Sequence, residues 1–136
     1  MPSVNEIIRD FMSEGPYAVV GASSNRDKYG NMVLRAYQQQ GLEVYPINPR
    51  ADFIEGIKAY PSLAAVPRQV RGVSIITPPK ITEQAVEEAA AARAEFVWMQ
   101  PGAESPEAIR KAEALGLKVI AGGPCYLVVA GFREHA

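Results

Sequence analysis

Tyr17-Ala18-Val19-Val20-Gly21-Ala22-Ser23-Ser24 is an apolar run that breaks directly into glycine and small hydroxyl residues. Four apolar residues without polar alternation suit a strand covered on both faces, the environment of a parallel sheet flanked by helices. Comparable stretches follow at Glu43–Ile47, Gly72–Ile76, Phe96–Met99 and Lys118–Ala121. Helical segments lie between them. Val33, Leu34 and Tyr37 form the apolar stripe of one that ends at Gly41, and Ala85, Val86, Ala89 and Ala90 the inward face of another, with Thr82 as its expected cap. Ser105-Pro106-Glu107 opens a third with an N-cap, a proline at the first helical position and an acid in the first turn, and Gly116 closes it. Strand and helix in alternation, joined by right-handed crossovers, predict an α/β fold: a Rossmann-like, doubly wound, mainly parallel five-stranded sheet with helices on both faces.

Upstream, Ser3 and Glu6 have capping-box spacing, and Val4, Ile7, Ile8 and Phe11 recur at helical intervals until Gly15-Pro16 stops the helix. Pro46 inside the second strand predicts a frayed end or a sheet margin, because proline cannot donate to a ladder. Residues 48–72 are less regular, with a short extended piece near Phe53–Gly56 and a turn of helix near Ser62–Ala65. Tyr126–Phe132 reads as a short final helix. Gly41-Leu42-Glu43-Val44 and Gly116-Leu117-Lys118-Val119 are alike, marking two helices that end the same way before a strand. No low-complexity linker divides the chain, so residues 1–136 are expected to form one domain with residues 1–15 as an N-terminal helix packed on it.

The 136 residues are 48% hydrophobic and 21% charged, a globular balance. With 14 Lys+Arg against 15 Asp+Glu the net charge is −1, so no basic field exists to hold nucleic acid or an anionic membrane surface. No apolar stretch approaches the about 20 residues of a membrane span, and residues 1–12 carry no secretory pattern. One cysteine, Cys125, excludes an internal disulfide framework and a cysteine zinc site. His135 is the one histidine, one residue from the end, so a catalytic role and a Ser-His-Asp set are not expected. The expectation is a cytoplasmic protein with no metal and no catalytic constellation.

Open parallel sheets bind ligands beyond the carboxyl ends of their strands, where strand order reverses. After the first strand, Gly21, Ala22, Ser23, Ser24 and the stretch Lys28, Tyr29, Gly30 offer close backbone approach, hydroxyls and a helix N-terminus suited to a pyrophosphate. The spacing is not G-x-G-x-x-G, and tight turns alone would also explain Gly21 and Gly30. After the second strand stand Asn48, Pro49 and Arg50, where plain NAD sites usually place an acid. A cation there suits a phosphorylated ribose, as in coenzyme A or NADP; the alternative is a solvated loop charge. Thr77, Pro78 and Pro79 give rigid apolar surface for an adenine or a pantetheine arm, or a stiff loop. Gln100, Pro101 and Gly102 follow the fourth strand with the same two readings.

Val19-Val20-Gly21-Ala22-Ser23, Tyr45-Pro46-Ile47-Asn48-Pro49, Thr77-Pro78-Pro79 and Trp98-Met99-Gln100-Pro101-Gly102-Ala103-Glu104-Ser105, with Gly116-Leu117 and Cys125, together resemble the small CoA-binding protein family. That family is similar to the N-terminal domain of the succinyl-CoA synthetase α subunit, and the resemblance covers about Phe11 to Val128. It implies a Rossmann-like domain that holds coenzyme A. Gly21, Ser23 and Ser24 would sit by the phosphates with Lys28 to Gly30 closing the loop. Asn48, Pro49 and Arg50 would lie near the adenosine and its 3′-phosphate, Thr77 to Pro79 along the adenine and pantetheine, and Gln100 to Gly102 along the arm. Where the family pattern has a basic residue just before the cysteine, this chain has Gly122-Gly123-Pro124.

The synthetases that share this domain use a phosphorylated histidine on a further domain, and no such domain is expected within these 136 residues. The leading expectation is therefore a non-catalytic carrier, sensor or regulatory module for CoA or an acyl-CoA, with a homo-oligomer or protein partner open. Two alternatives stand beside it: an NADP-dependent reductase or acyl-CoA-handling enzyme, and an interaction subunit with a vestigial pocket. Cys125 has two readings of its own, a small buried hydrophobe or a partner for the CoA thiol in a mixed disulfide.

Overall fold

A computed structural model describes residues 2–134; His135 lies outside the described residues. Helix α1 (Val4–Ser13) precedes β1 (Tyr17–Val20), α2 (Tyr29–Gln39) and β2 (Val44–Ile47). A small hairpin, β3 (Phe53–Ile54) and β4 (Ile57–Lys58), and a 3-10 turn at Leu63–Ala65 lead to β5 (Gly72–Ile75). Then come α3 (Pro79–Ala91), β6 (Phe96–Met99), α4 (Pro106–Ala114), β7 (Lys118–Ile120) and α5 (Tyr126–Ala130).

Five strands form one sheet in the order β2-β1-β5-β6-β7, and every neighbouring pair is parallel, as the unbroken apolar runs require. The chain leaves β1 toward β2 and returns to the other side of β1 at β5, so strand order reverses at β1. Beyond the carboxyl ends of β1 and β5 lies the crevice that this reversal opens. Pro46 sits in β2 at the margin, where the loss of a donor is tolerated. Tyr60 covers that edge, donating its N–H to the Pro46 carbonyl and accepting from the Asn48 N–H, each at 2.9 Å.

The pleat divides the side chains between two cores. Tyr17, Val19, Phe96 and Trp98 face α1, α2 and α5, while Ala18, Val73, Ile75, Val97 and Met99 face α3 and α4. The first core is aromatic: Tyr37 stacks on Tyr126 at 4.0 Å between centroids, and Phe11 meets Trp98 edge-on at 5.2 Å. Gly72 explains how α1 docks there, since a Cβ at that position would stand 2.5 Å from the Phe11 ring. Tyr17 completes the attachment by donating its hydroxyl to the Phe11 carbonyl at 2.6 Å.

Three local expectations change. Helix α3 starts at Pro79, not after Thr82; the fixed φ of proline suits a first helical position. Thr82 is buried in the first turn and meets the Thr77 hydroxyl at 2.8 Å. The extended piece near Phe53 is half of a hairpin whose turn, Glu55-Gly56, has positive φ at both residues (48° and 79°), the geometry that matches strand twist. At α1, the Ser3 hydroxyl accepts from the Glu6 N–H at 3.2 Å, but the Glu6 carboxylate meets that hydroxyl rather than the backbone of Ser3. No helix among the described residues is long and apolar enough to cross a membrane.

Candidate functional site

The turn after β1 is built on two backbone contacts that leave no room for side chains. Gly21 has a φ of +93°, and a Cβ there would lie 2.0 Å from the Ile76 carbonyl oxygen at the end of β5. A Cβ on Gly30 would lie 2.0 Å from the Gly21 carbonyl oxygen. Gly30 therefore lets the N-terminus of α2 rest directly on the turn, and Gly21 lets that turn rest on the neighbouring strand. The tight-turn explanation of both glycines is correct as far as it goes. A valine at position 21 would strike the protein's own backbone, so it acts on folding before any ligand is involved.

Between these glycines the side chains of residues 24–28 are exposed. The Ser23 hydroxyl accepts from the Asn25 N–H at 3.1 Å, and the Asn25 side chain from the Asp27 N–H at 3.0 Å. Ser24 and Lys28 are exposed. Lys28 occupies the N-cap of α2 without capping it, and among the described residues the N–H groups of Tyr29 and Gly30 find no backbone acceptor. An uncapped helix N-terminus of this kind attracts anions.

Asn48, at the end of β2, is spent on the frame: its amide donates to the Ala22 carbonyl at 2.9 Å and its oxygen accepts from the Arg50 N–H at 2.8 Å. It ties the second turn to the first. Pro49 and Arg50 are exposed, and Arg50 forms no ion pair among the described residues. Across the switch point, Ile76, Thr77, Pro78, Pro101, Gly102 and Ala103 line a cleft of about 240 Å³. The turns after β5 and β6 thus come together as one slot. Pro79 is exposed as the first residue of α3 and does not line it.

Gln100 joins the two halves of the rim. Fully buried, it accepts the Tyr126 N–H at 2.8 Å and the Tyr29 hydroxyl at 3.4 Å. The same hydroxyl contacts the Cys125 sulfur. Burial, and then the Cys125 contact, push the Tyr29 phenol well above its usual range, so it stays protonated as a donor. Three turns therefore converge on one partly buried cluster of phenol, amide and thiol. The turn carrying Cys125 is itself fixed by Trp98, whose indole N–H donates to the Pro124 carbonyl at 3.0 Å.

Sequence patterns do not reveal the side chains beneath the loop. Asn31, Arg35 and Glu55 form a network under residues 23–26, and Arg26 pairs with Glu55 at 3.3 Å. The one signal is a polar pair at i, i+4 on the helix face that also carries Leu34. A larger cavity, about 430 Å³, lies elsewhere, between Leu63–Gln69 and the Glu88–Ala92 end of α3. It sits at the amino ends of the strands, away from the switch point and from the turns that follow β1, β2, β5, β6 and β7. Among the described residues no three His, Cys, Asp or Glu side chains come together to hold a metal.

A sequence profile described as a CoA binding domain matches residues 16–130, from the start of β1 through α5. The chain belongs to the CoA binding domain family. An uncharacterised Bacillus subtilis protein, YneT, is 31% identical over 119 residues, covering 88% of each chain. A hypothetical protein from Pyrococcus horikoshii has the same fold with a TM-score of 0.86 and 31% identity, over 98% of this chain and 90% of that one. The α subunit of an ADP-forming acetate–CoA ligase from Pyrococcus furiosus is 36% identical over 75 residues, 54% of this chain. That match spans only 16% of the ligase subunit's length. Family membership therefore rests on the whole Rossmann-like core, and the ligase relationship on one part of a much larger protein.

Proposed function

We propose that this protein binds coenzyme A across the carboxyl rim of the sheet and acts as a non-catalytic carrier, sensor or regulatory module in the cytoplasm. One juxtaposition carries the reading: an uncapped helix N-terminus and exposed serines on one side of the switch point, an apolar slot on the other, in a CoA-binding-domain fold. Coenzyme A has the matching parts, an anionic diphosphate, a phosphorylated ribose and a pantetheine arm whose methyl and methylene groups can lie in an apolar slot. The residues fit each part by chemistry. Ser23, Ser24 and the first amides of α2 would hold the diphosphate, with Gly21, Ala22 and Gly30 allowing close approach and Lys28 adding charge. Arg50, whose guanidinium is unpaired among the described residues, would take the ribose phosphate beside Pro49, on a turn braced by Asn48. Thr77, Pro78, Pro101 and Gly102 would flank the arm, with Pro79 behind them and Gln100 below. Tyr29 and Cys125 would stand where a thiol or thioester arrives.

Thermal unfolding with coenzyme A, dephospho-CoA and NADPH tests this. A ligand at a hundred times its Kd stabilises the fold by about 2.7 kcal/mol, a melting shift of several degrees. Coenzyme A is expected to give the largest shift and dephospho-CoA a smaller one. Equal shifts for those two would remove Arg50 from the site, and no shift with either would refute the assignment.

A further inference from the structure

The loop after β1 is held from below by side chains that the proposed ligand does not touch. Asn31, in the first turn of α2, is fully buried, yet its side chain makes three hydrogen bonds. Its amide donates to the Ser23 carbonyl at 2.9 Å and to the Glu55 carboxylate at 3.0 Å, and its oxygen accepts from Arg35 Nε at 2.6 Å. Arg35, only 5% exposed, donates its Nη2 to the Arg26 carbonyl at 3.1 Å. Two carbonyls of one exposed loop are thereby drawn inward onto a single helix. In a trans peptide the N–H of the following residue points opposite to the carbonyl. Drawing the Ser23 carbonyl toward α2 therefore turns the Ser24 N–H away from it, and no backbone acceptor among the described residues takes that N–H.

From this geometry we propose that Asn31 is the positioning residue of the anion loop, braced by Arg35 and Glu55, and that it sets the Ser24 amide toward the diphosphate without contacting it. This rests on the coenzyme A reading above. Packing alone does not call for an amide at this place, since Val33, Leu34, Ala36 and Tyr37 already bury α2 against the sheet. An apolar residue of the same volume would leave the Ser23 carbonyl, the Glu55 carboxylate and the buried Arg35 Nε without their partner. What an apolar residue lacks is a donor for the Ser23 carbonyl. The buried Arg35 guanidinium adds a fixed positive charge beneath the loop, with Glu134 at 3.4 Å as a half-exposed counter-ion.

Two variants separate positioning from folding. Asn31→Ala removes all three bonds. The double variant Asn31→Asp with Glu55→Gln keeps a bond between positions 31 and 55 with donor and acceptor exchanged, and keeps the acceptor for Arg35, but leaves the Ser23 carbonyl without its donor. Calorimetry on coenzyme A, and amide-resolved NMR titration with pantetheine, which has no phosphate, supply the readout. In both variants the affinity for coenzyme A should fall about tenfold or more, the scale of one misdirected charge-assisted hydrogen bond. Pantetheine affinity should stay within about twofold, because pantetheine has no phosphate for the Ser24 amide to hold. Exchange of the Ser24 amide, fast in the parent protein, should become protected when coenzyme A binds to the parent but not to the double variant. Unchanged affinity for coenzyme A in the double variant, or equal loss for both ligands, would overturn the positioning role alone. A parent protein that does not bind coenzyme A would overturn the site reading and this inference together.

Discussion

Gly30→Ala puts the architecture of the rim to a test of sign. In an ordinary helix interior the change stabilises by about 1 kcal/mol, because glycine loses more backbone freedom on folding. Here the added Cβ would stand 2.0 Å from the Gly21 carbonyl oxygen, 3.0 Å from its carbon and 3.4 Å from the Ala22 Cα. All three are backbone atoms, so no rotamer change relieves the contact. Real Cβ atoms approach to 3.0 Å at the nearest, so α2 would have to lift by about 1 Å. Overpacking of this kind costs about 1–3 kcal/mol, and the rigid opposing backbone puts the cost near the top of that range. Subtracting the helix gain leaves a net loss of about 1–2 kcal/mol, read as a lower urea midpoint at unchanged m value. The lifted helix should also weaken coenzyme A binding, since its first amides move with it. If Gly30→Ala is as stable as the parent or more so, α2 does not rest on the Gly21 carbonyl and the close-approach argument fails.

Further predictions reach the rest of the molecule. Arg50→Ala should weaken coenzyme A binding by about 1–3 kcal/mol while leaving dephospho-CoA nearly unaffected, measured by calorimetry; equal losses would make Arg50 a general surface charge. Saturating coenzyme A should slow alkylation of Cys125 by iodoacetamide, followed by mass spectrometry, because the arm would end beside the Tyr29–Cys125 contact; an unchanged rate would place the bound thiol elsewhere. At the opposite end, Arg71 hydrogen-bonds Asp10 at 2.7 Å and holds its carboxyl below the usual range. A depressed folded value means the contribution is present above the unfolded pKa of about 4 and lost as pH falls through the folded one. Asp10→Asn should therefore flatten the decline in melting temperature between about pH 5 and pH 3, and an identical acid limb would show the pair contributes nothing to stability.

Where apolar runs are unbroken the sequence is legible to the residue: Tyr17–Val20 and Phe96–Met99 are strands with the expected ends. The Ser105-Pro106-Glu107 signature likewise marks the start of α4, with the Ser105 hydroxyl accepting from the Ala108 N–H at 3.0 Å. The hairpin β3–β4 is hidden because two-residue strands carry no periodicity, and its positive-φ turn uses Glu55 rather than the usual asparagine or aspartate. Thr82 misleads because threonine suits an N-cap, while proline three residues earlier already meets the needs of a helix start. In the candidate site the turns are legible, since each follows a recognisable strand end. The support beneath them is not. Glu55 reaches Asn31 and Arg26 only once the hairpin folds over α2, a contact between residues 24 apart that no local pattern encodes. Gly30 is similar: its residue type is visible in the sequence, but the carbonyl it accommodates belongs to a different element.

Backbone amide NMR with coenzyme A titrated into the labelled protein locates the bound ligand, because it reports every turn and the distant cavity in one spectrum. Shifts should concentrate at Ser23, Ser24, Gly30, Arg50, Thr77 and Gly102, leaving the amides of Val66, Gln69 and Glu88 in place. Shifts centred on Val66, Gln69 and Glu88, with the β1 turn unmoved, would contradict the account and move the ligand to the larger cavity at the amino ends of the strands.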